Sequence, residues 1–293
     1  MNPAILRAVL FMLLSTALLS CMHGLVRYVS HTLHPFEIAF FRNLFGLAVV
    51  LPLVWRAGAA GFVTKRPGLQ VLRGVIGMGA MLGWFYGLSV VPIAGATALS
   101  FTAAIFASLG AALFLGERMR LRRWSAVIIG FLGALIVLRP GMETISIGAL
   151  AILFSSMCWG SNIVIVKRLS QTDNTVSIVV WMSMMLTVFS IFPALFVWQW
   201  PTMPELGWLL LLGTLGTGGH LAMVTALKLV DATQIMPLDF SRLIWTSVLG
   251  YLVFAEIPDI WTWVGGTVIF ASAAFITYRE AKLKRPGLAV PRQ

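Results

Sequence analysis

The chain has 293 residues, of which 59% are hydrophobic and only 11% charged, with a mean hydropathy of +0.93. A soluble domain carries roughly a quarter charged residues, so a water-soluble globular fold is excluded and the net charge of +11 belongs to a membrane protein. The apolar runs are continuous and each about 20 residues long, which suits helices crossing a hydrocarbon core about 30 Å thick and rules out the alternating strands of a membrane barrel.

Ten such stretches are predicted, at 5–26, 36–55, 69–89, 92–115, 123–139, 147–167, 175–198, 206–227, 232–255 and 260–278. The first superficially resembles a signal sequence, with Leu18-Leu19-Ser20-Cys21 like a lipoprotein cleavage site, but apolar sequence continues past Cys21 and an uncleaved helix is expected. Thr16, Ser20, His23 and Arg27 are spaced 4, 3 and 4, which puts a polar stripe on one face of that helix. Such a stripe is expected to face a central cavity rather than lipid. His23 suits proton coupling, although a hydrogen-bonded packing histidine is the plainer reading. The second stretch carries Arg42, with Glu37 near its start. The longest connection, about 56–68, follows it.

The third stretch is dense in glycine (Gly74, Gly77, Gly79, Gly83, Gly87), as is the eighth (Gly213, Gly216, Gly218, Gly219). Small residues let helices approach closely in lipid, so tight packing is expected there, with Gly218-Gly219 beside His220 as a candidate flexible point. Trp84 and Tyr86 in the third stretch and Trp159 in the sixth are candidates to stack on an organic solute. The fourth stretch holds Thr97 and Ser100 on one face. In the ninth, Asp239 and Arg242 lie three apart and share a face. They are either a self-neutralising pair or one wall of a substrate cavity, and the two readings are compatible. Cys21 and Cys158 both fall inside spans, so no disulfide is implied.

Residues 87–139 lie on 226–278 without a gap, at an offset of 139. Leu99 meets Leu238, Phe101 meets Phe240, Glu117 meets Glu256 and Trp124 meets Trp263. The loops after the paired glutamates differ in charge: Arg118, Arg120, Arg122 and Arg123 follow Glu117, whereas Ile257-Pro258-Asp259 follows Glu256. Basic short loops stay in the cytoplasm, so the two copies are expected to lie in opposite orientations, the architecture of a secondary transporter. With both termini cytoplasmic, most of the 21 basic residues fall inside, only Arg27 and Arg139 fall outside, and Arg42 and Arg242 lie within spans. Charges spread in this way make no nucleic-acid face. The expected fold is therefore an all-α integral membrane protein, ten transmembrane helices in two inverted five-helix repeats at 5–139 and 147–278. A basic tail, 279–293, is expected to lie at the cytoplasmic lipid surface.

An ionisable group inside a span is costly and faces protein or water. His23, Arg42, His220, Asp239 and Arg242 are therefore the charged candidates for a substrate site, joined by Trp84, Ser100, Trp159 and Asn162. No cofactor is implied. The chain lacks a phosphate-binding Gly-rich loop ending in Lys-Ser/Thr, a His-Glu-x-x-His zinc motif and a Gly-x-Ser-x-Gly nucleophile turn.

These residues resemble the drug/metabolite transporter superfamily, specifically its EamA-type ten-helix members. The resemblance rests on Phe41-Arg42-Asn43-Leu44-Phe45-Gly46, Ala98-Leu99-Ser100-Phe101-Thr102-Ala103, Leu115-Gly116-Glu117-Arg118, Trp159-Gly160-Ser161-Asn162 and Pro237-Leu238-Asp239-Phe240. Two positions depart from it. Cys21-Met22-His23-Gly24 stands where Trp-Gly-Ser-Asn is usual, making the cavity asymmetric, and Ala104 stands where helix 4 often has a proline that would kink it. The resemblance implies carriage of a small organic metabolite (an amino acid, vitamin or nucleoside-like solute) across a bacterial cytoplasmic membrane by rocking of helix bundles. An intramembrane enzyme acting on a lipid-linked substrate, or a metabolite channel, are the alternatives. Direction, ion coupling and oligomeric state are not encoded in any motif.

Overall fold

The computed structural model describes residues 3–57, 63–115, 121–139, 146–169, 171–173, 175–229 and 236–284. The turn at 116–120 with Glu117, Arg118 and Arg120, the junction at 140–145 and the tail beyond 284 lie outside them. Helices stand over all ten apolar stretches: α1 (Pro3–Val29), α2 (Pro35–Ala57), α3 (Pro67–Val90), α4 (Ile93–Ser100), α5 (Thr102–Leu115), α6 (Leu121–Leu138), α7 (Ile147–Leu169), α8 (Thr175–Leu195) and α9 (Met203–Leu229), then a 3-10 turn (Met236–Phe240), α10 (Ser241–Phe254) and α11 (Ile260–Lys284). Among the described residues there is no strand. Pro35 and Pro67 open α2 and α3, where a missing N–H costs nothing.

Among the described residues, five helical segments are long and apolar enough to cross a membrane: Ala4–Val29, Pro67–Val90, Ile93–Phe114 (taken through its break), Ile147–Leu169 and Met203–Leu229. Trp124–Leu138, Val180–Leu195 and Ile260–Ile276 are shorter apolar helices. Large apolar side chains such as Leu132, Phe192 and Leu252 are exposed. In water that would be an aggregating surface; in lipid it is the outer wall.

Glycine sets how the helices meet. A Cβ on Gly87 would fall 2.3 Å from Ile152 and 3.1 Å from the Gly148 carbonyl, so α3 and α7 touch almost backbone to backbone. Gly77 faces Asn162 along the same seam, so α7 runs antiparallel to α3. On the other side α1 packs on α9, with Leu19 against Gly219, Met22 against Gly216 and Tyr28 against Trp208, again antiparallel. Helix α9 is continuous through Gly218-Gly219, and a Cβ on Gly218 would meet Leu18 at 3.7 Å, ordinary contact. The Gly218-Gly219 pair beside His220 thus lies within an unbroken helix.

Helix 4 breaks at Phe101 although it lacks the proline. Around the break a run of hydroxyls bonds back to the chain: Thr97 to the Ile93 carbonyl (2.8 Å), Ser100 to Thr97 (2.7 Å) and Thr102 to Leu99 (2.7 Å). Such bonds compete with the helical ladder and can bend it. The Phe101 N–H shifts to the Ala98 carbonyl, a 3-10 pattern. Helix 9 changes from 3-10 to α at the aligned position, after Phe240, and α5 and α10 begin and end in register at the offset of 139. The two break-point rings, Phe101 and Phe240, lie 5.7 Å apart.

Candidate functional site

The polar stripe on α1 is turned inward. Thr16 and Ser20 are fully buried and His23 is 6% exposed. The Thr16 hydroxyl donates to Leu13, which leaves Ser241 to donate to Thr16 across 2.8 Å and ties α1 to the start of α10. Ser15 donates to the Gly219 carbonyl (2.8 Å), tying α1 to α9. His23 meets Trp84 of α3 edge to face, ring centres 5.0 Å apart. It lies within electrostatic reach of Arg242, His220 and Arg42, and His220 is likewise within reach of both arginines. Residues from α1, α2, α3, α9 and α10 thus converge.

Asp239 and Arg242 form an ion pair of 2.6 Å, and the Arg242 guanidinium lies over the Phe101 ring at 5.4 Å. The pair stands at the junction of the 3-10 turn and α10, so the break in helix 9 presents it. Arg42 donates to Asn43 Oδ1 (3.0 Å), and its guanidinium rests on Gly216, where a Cβ would fall 2.9 Å from Nη2 and 2.8 Å from Met22 Sδ. Four polar atoms in this cluster are buried without a partner: Ser20 Oγ, His23 Nδ1, Arg42 Nε and Arg242 Nε. Each such atom costs about 1–3 kcal/mol.

The other sequence candidates sit apart from that contact. Ser100 is half-buried and bonds its own helix. Asn162 pins α7 to α3: with its amide turned to satisfy both partners, it donates to the Arg73 carbonyl and accepts from the Gly77 N–H, each at 3.1 Å. Trp159 is 43% exposed and joins no ring pair among the described residues. Gly160, beside it, brings α7 within van der Waals contact of the α5 backbone, since a Cβ there would fall 2.6 Å from the Ala107 nitrogen. Among the described residues, no group of three His, Cys, Asp or Glu could hold a metal ion.

Sequence reasoning named Arg27 and Glu256 without joining them. Arg27, in the last turn of α1, forms an ion pair with Glu256 and donates to the Leu88 (3.0 Å) and Val91 (2.7 Å) carbonyls at the end of α3. The other Glu256 oxygen accepts the Ile93 N–H at the start of α4 (3.0 Å), where a helix N-terminus favours a carboxylate. Ala255 adopts the left-handed conformation (φ 54), which lets the Glu256 N–H reach the Gly250 carbonyl and turns the carboxylate inward. Beside this tie, Arg139 pairs with Asp259 at 2.6 Å. The two basic residues assigned to the outer face are thus both held by the acidic turn after α10. The sequence signal was that turn's charge, opposite in sign to its aligned copy.

At the opposite end, Asp173 in the α7–α8 turn accepts hydrogen bonds from the Thr64 hydroxyl, the Lys65 N–H (3.1 Å) and Gln70 (3.1 Å). Slight burial works against its charge, but these bonds and one from Thr172 outweigh it and hold the carboxyl below its ordinary range. Arg168, in the last turn of α7, donates to the Phe114 carbonyl of α5.

A bundle of long apolar helices with charged and polar side chains turned inward is a multi-pass membrane protein. Residues 6–139 and again 146–278 match the EamA-like transporter family, and the chain belongs to that family. It is 33% identical over 270 residues to the S-adenosylmethionine uptake transporter of Rickettsia bellii (strain RML369-C), covering 92% of this chain and 93% of that protein. It is 30% identical to the riboflavin transporter of Vibrio cholerae serotype O1, covering 96% of each. A solved crystal structure covering 95% of this chain and 99% of its own superposes with a TM-score of 0.64 at 17% identity, a likeness of fold. The family is one of transporters, not enzymes.

Proposed function

We propose that the protein is a secondary carrier that moves a small organic metabolite across the bacterial cytoplasmic membrane by alternating access, using two oppositely threaded five-helix repeats. The observation that carries this reading is the inward-turned polar cluster of His23, buried, with Arg42, His220, Asp239 and Arg242, partly buried, and an ion-paired closure at Arg27–Glu256 between it and one end. Closure at one end with a polar site behind it fits a carrier better than a channel, whose lining must be continuous.

Several features support the opposed repeats. Helices α1 and α3 run parallel, whereas α7 and α9, their counterparts in the second half, run the other way. The basic residues Lys65, Arg66, Lys167, Arg168 and Lys228 gather at the Asp173 end, and at the far end the described arginines are paired with carboxylates. By the positive-inside rule the Asp173 end and both termini are cytoplasmic, and the Arg27 end faces outward. No nucleotide site is encoded, so the driving force is a gradient.

Relatives named for S-adenosylmethionine and riboflavin uptake make those two solutes the first to try. Uptake of each labelled solute into liposomes carrying the pure protein is the test. Saturable uptake that shows counterflow is expected. Failure of every solute in a broad metabolite panel to move would overturn the carrier reading.

A further inference from the structure

The cluster holds two guanidinium groups and one carboxylate, and the carboxylate is already taken. Asp239 pairs with Arg242 at 2.6 Å. Arg42 makes no ion pair among the described residues. Its one hydrogen-bond partner is the neutral Asn43 amide, whose own nitrogen is committed to Met81 Sδ (3.1 Å), the Leu186 carbonyl and Ser190 Oγ (both 3.4 Å). Asn43 is therefore a bracket that orients Arg42. It is no counter-ion.

A guanidinium at this depth without an opposing charge is expensive. It is also held in place. The plane rests on Gly216 of α9, where any Cβ would strike Nη2 and Nε at 2.9 and 3.1 Å, and Met22 packs beside it. Nη1 is given to Asn43 and Nε is buried without a partner, so Nη2, which makes no hydrogen bond among the described residues, is the donor left to meet a carboxylate. The nearby His23–Trp84 edge-to-face pair offers an apolar wall with one free imidazole nitrogen.

We propose that the carried solute bears a carboxylate, that this carboxylate docks on Arg42 as its missing counter-charge, and that Gly216 is the residue that sets the fork's position. The proposal rests on the carrier reading and sharpens it to a substrate class. A solute that also bears a cationic group can exchange with Arg242 for Asp239, so zwitterions fit best.

The test measures binding to the full-length purified protein by ligand-induced shift of the unfolding temperature, converted to affinity. The probes are matched pairs differing in one group: S-adenosylmethionine against its decarboxylated form, tryptophan against tryptamine, and riboflavin against its phosphate ester. In the wild type, at least one carboxylated probe is expected to bind about tenfold or more tightly than its decarboxylated partner, the scale of a charge-assisted hydrogen bond. Arg42→Gln removes the preference, Arg42→Lys keeps part of it, and Gly216→Ala, which leaves every charge in place, reduces it several-fold. Equal binding within each carboxylate pair in the wild type overturns the proposal, as does a preference that survives Arg42→Gln. Preference for the phosphate ester alone also overturns it. Retained preference in a protein that transports none of the probes supports the anion site while counting against the carrier reading, so the two failures are told apart.

Discussion

The two ends of the bundle are closed by different chemistry. At the Arg27 end, an arginine, a glutamate, two helix-end carbonyls and a helix N-terminus form one tie that spans α1, α3, α4 and the chain after α10, with Arg139–Asp259 beside it. At the Asp173 end, one carboxylate gathers neutral donors from the start of α3, and Arg168 caps α5. Breaking one partner of a buried charged tie leaves the other charge uncompensated, so such a tie is costly to open. Hydrogen bonds confined to loops adjust piecemeal. The Arg27 end is thus held by charge between helices, and the Asp173 end by hydrogen bonds between two loops.

The contrast is broken most forcefully at Arg27. Arg27→Gln leaves a largely buried Glu256 carboxylate without its partner, and the expected loss is on the order of 3 kcal/mol, read as a fall in unfolding temperature in detergent. Arg27→Gln combined with Glu256→Gln is expected to recover part of that loss, because no lone charge remains. A double variant as unstable as the sum of the two singles would mean that the two residues do not act together.

A smaller effect is expected at Asp173. Its carboxyl sits below the ordinary range when folded, so its contribution to stability is fully present above the unfolded value and is lost as pH falls through the lower, folded value. Wild-type protein is therefore expected to lose stability at strongly acidic pH in a step that Asp173→Asn lacks. Identical acid profiles for the two proteins would refute this.

The smallest effect belongs to Arg139. The Arg139–Asp259 pair is partly open to solvent, with side chains 24% and 37% exposed, and exposed pairs are worth about 0.2–1 kcal/mol and are screened by salt. Arg139→Gln is expected to differ from wild type in dilute buffer and to match it at high salt, whereas the Arg27→Gln deficit persists. Salt erasing both deficits equally would remove the distinction between the buried and exposed ties.

The helices were legible because lipid demands long apolar runs, and the ten stretches match the helices to within a few residues at most ends. The polar stripe on α1 and the Asp239–Arg242 pair were legible because helical spacing alone puts those side chains on a shared face. Other features depend on distance in the chain. Arg27 and Glu256 are brought together only by packing, and neither periodicity nor spacing links them. Asn162 seeks the backbone of α3, which no side-chain pattern announces. The break at Phe101 was missed because the proline that would signal it is absent, and hydroxyls that bond back as Thr97, Ser100 and Thr102 do also occur in unbroken helices.

The most direct measurement joins the helices across the Arg27 end while leaving Arg27 and Glu256 in place. Pro92 and Ile257 line one cleft beside Glu256, so cysteines at these two positions, with Cys21 and Cys158 replaced by serine, can be bridged by a short cleavable bifunctional thiol reagent. The account predicts that bridging stops uptake and counterflow and that cleaving the bridge restores both. Transport at the unbridged rate with that end held shut would contradict it.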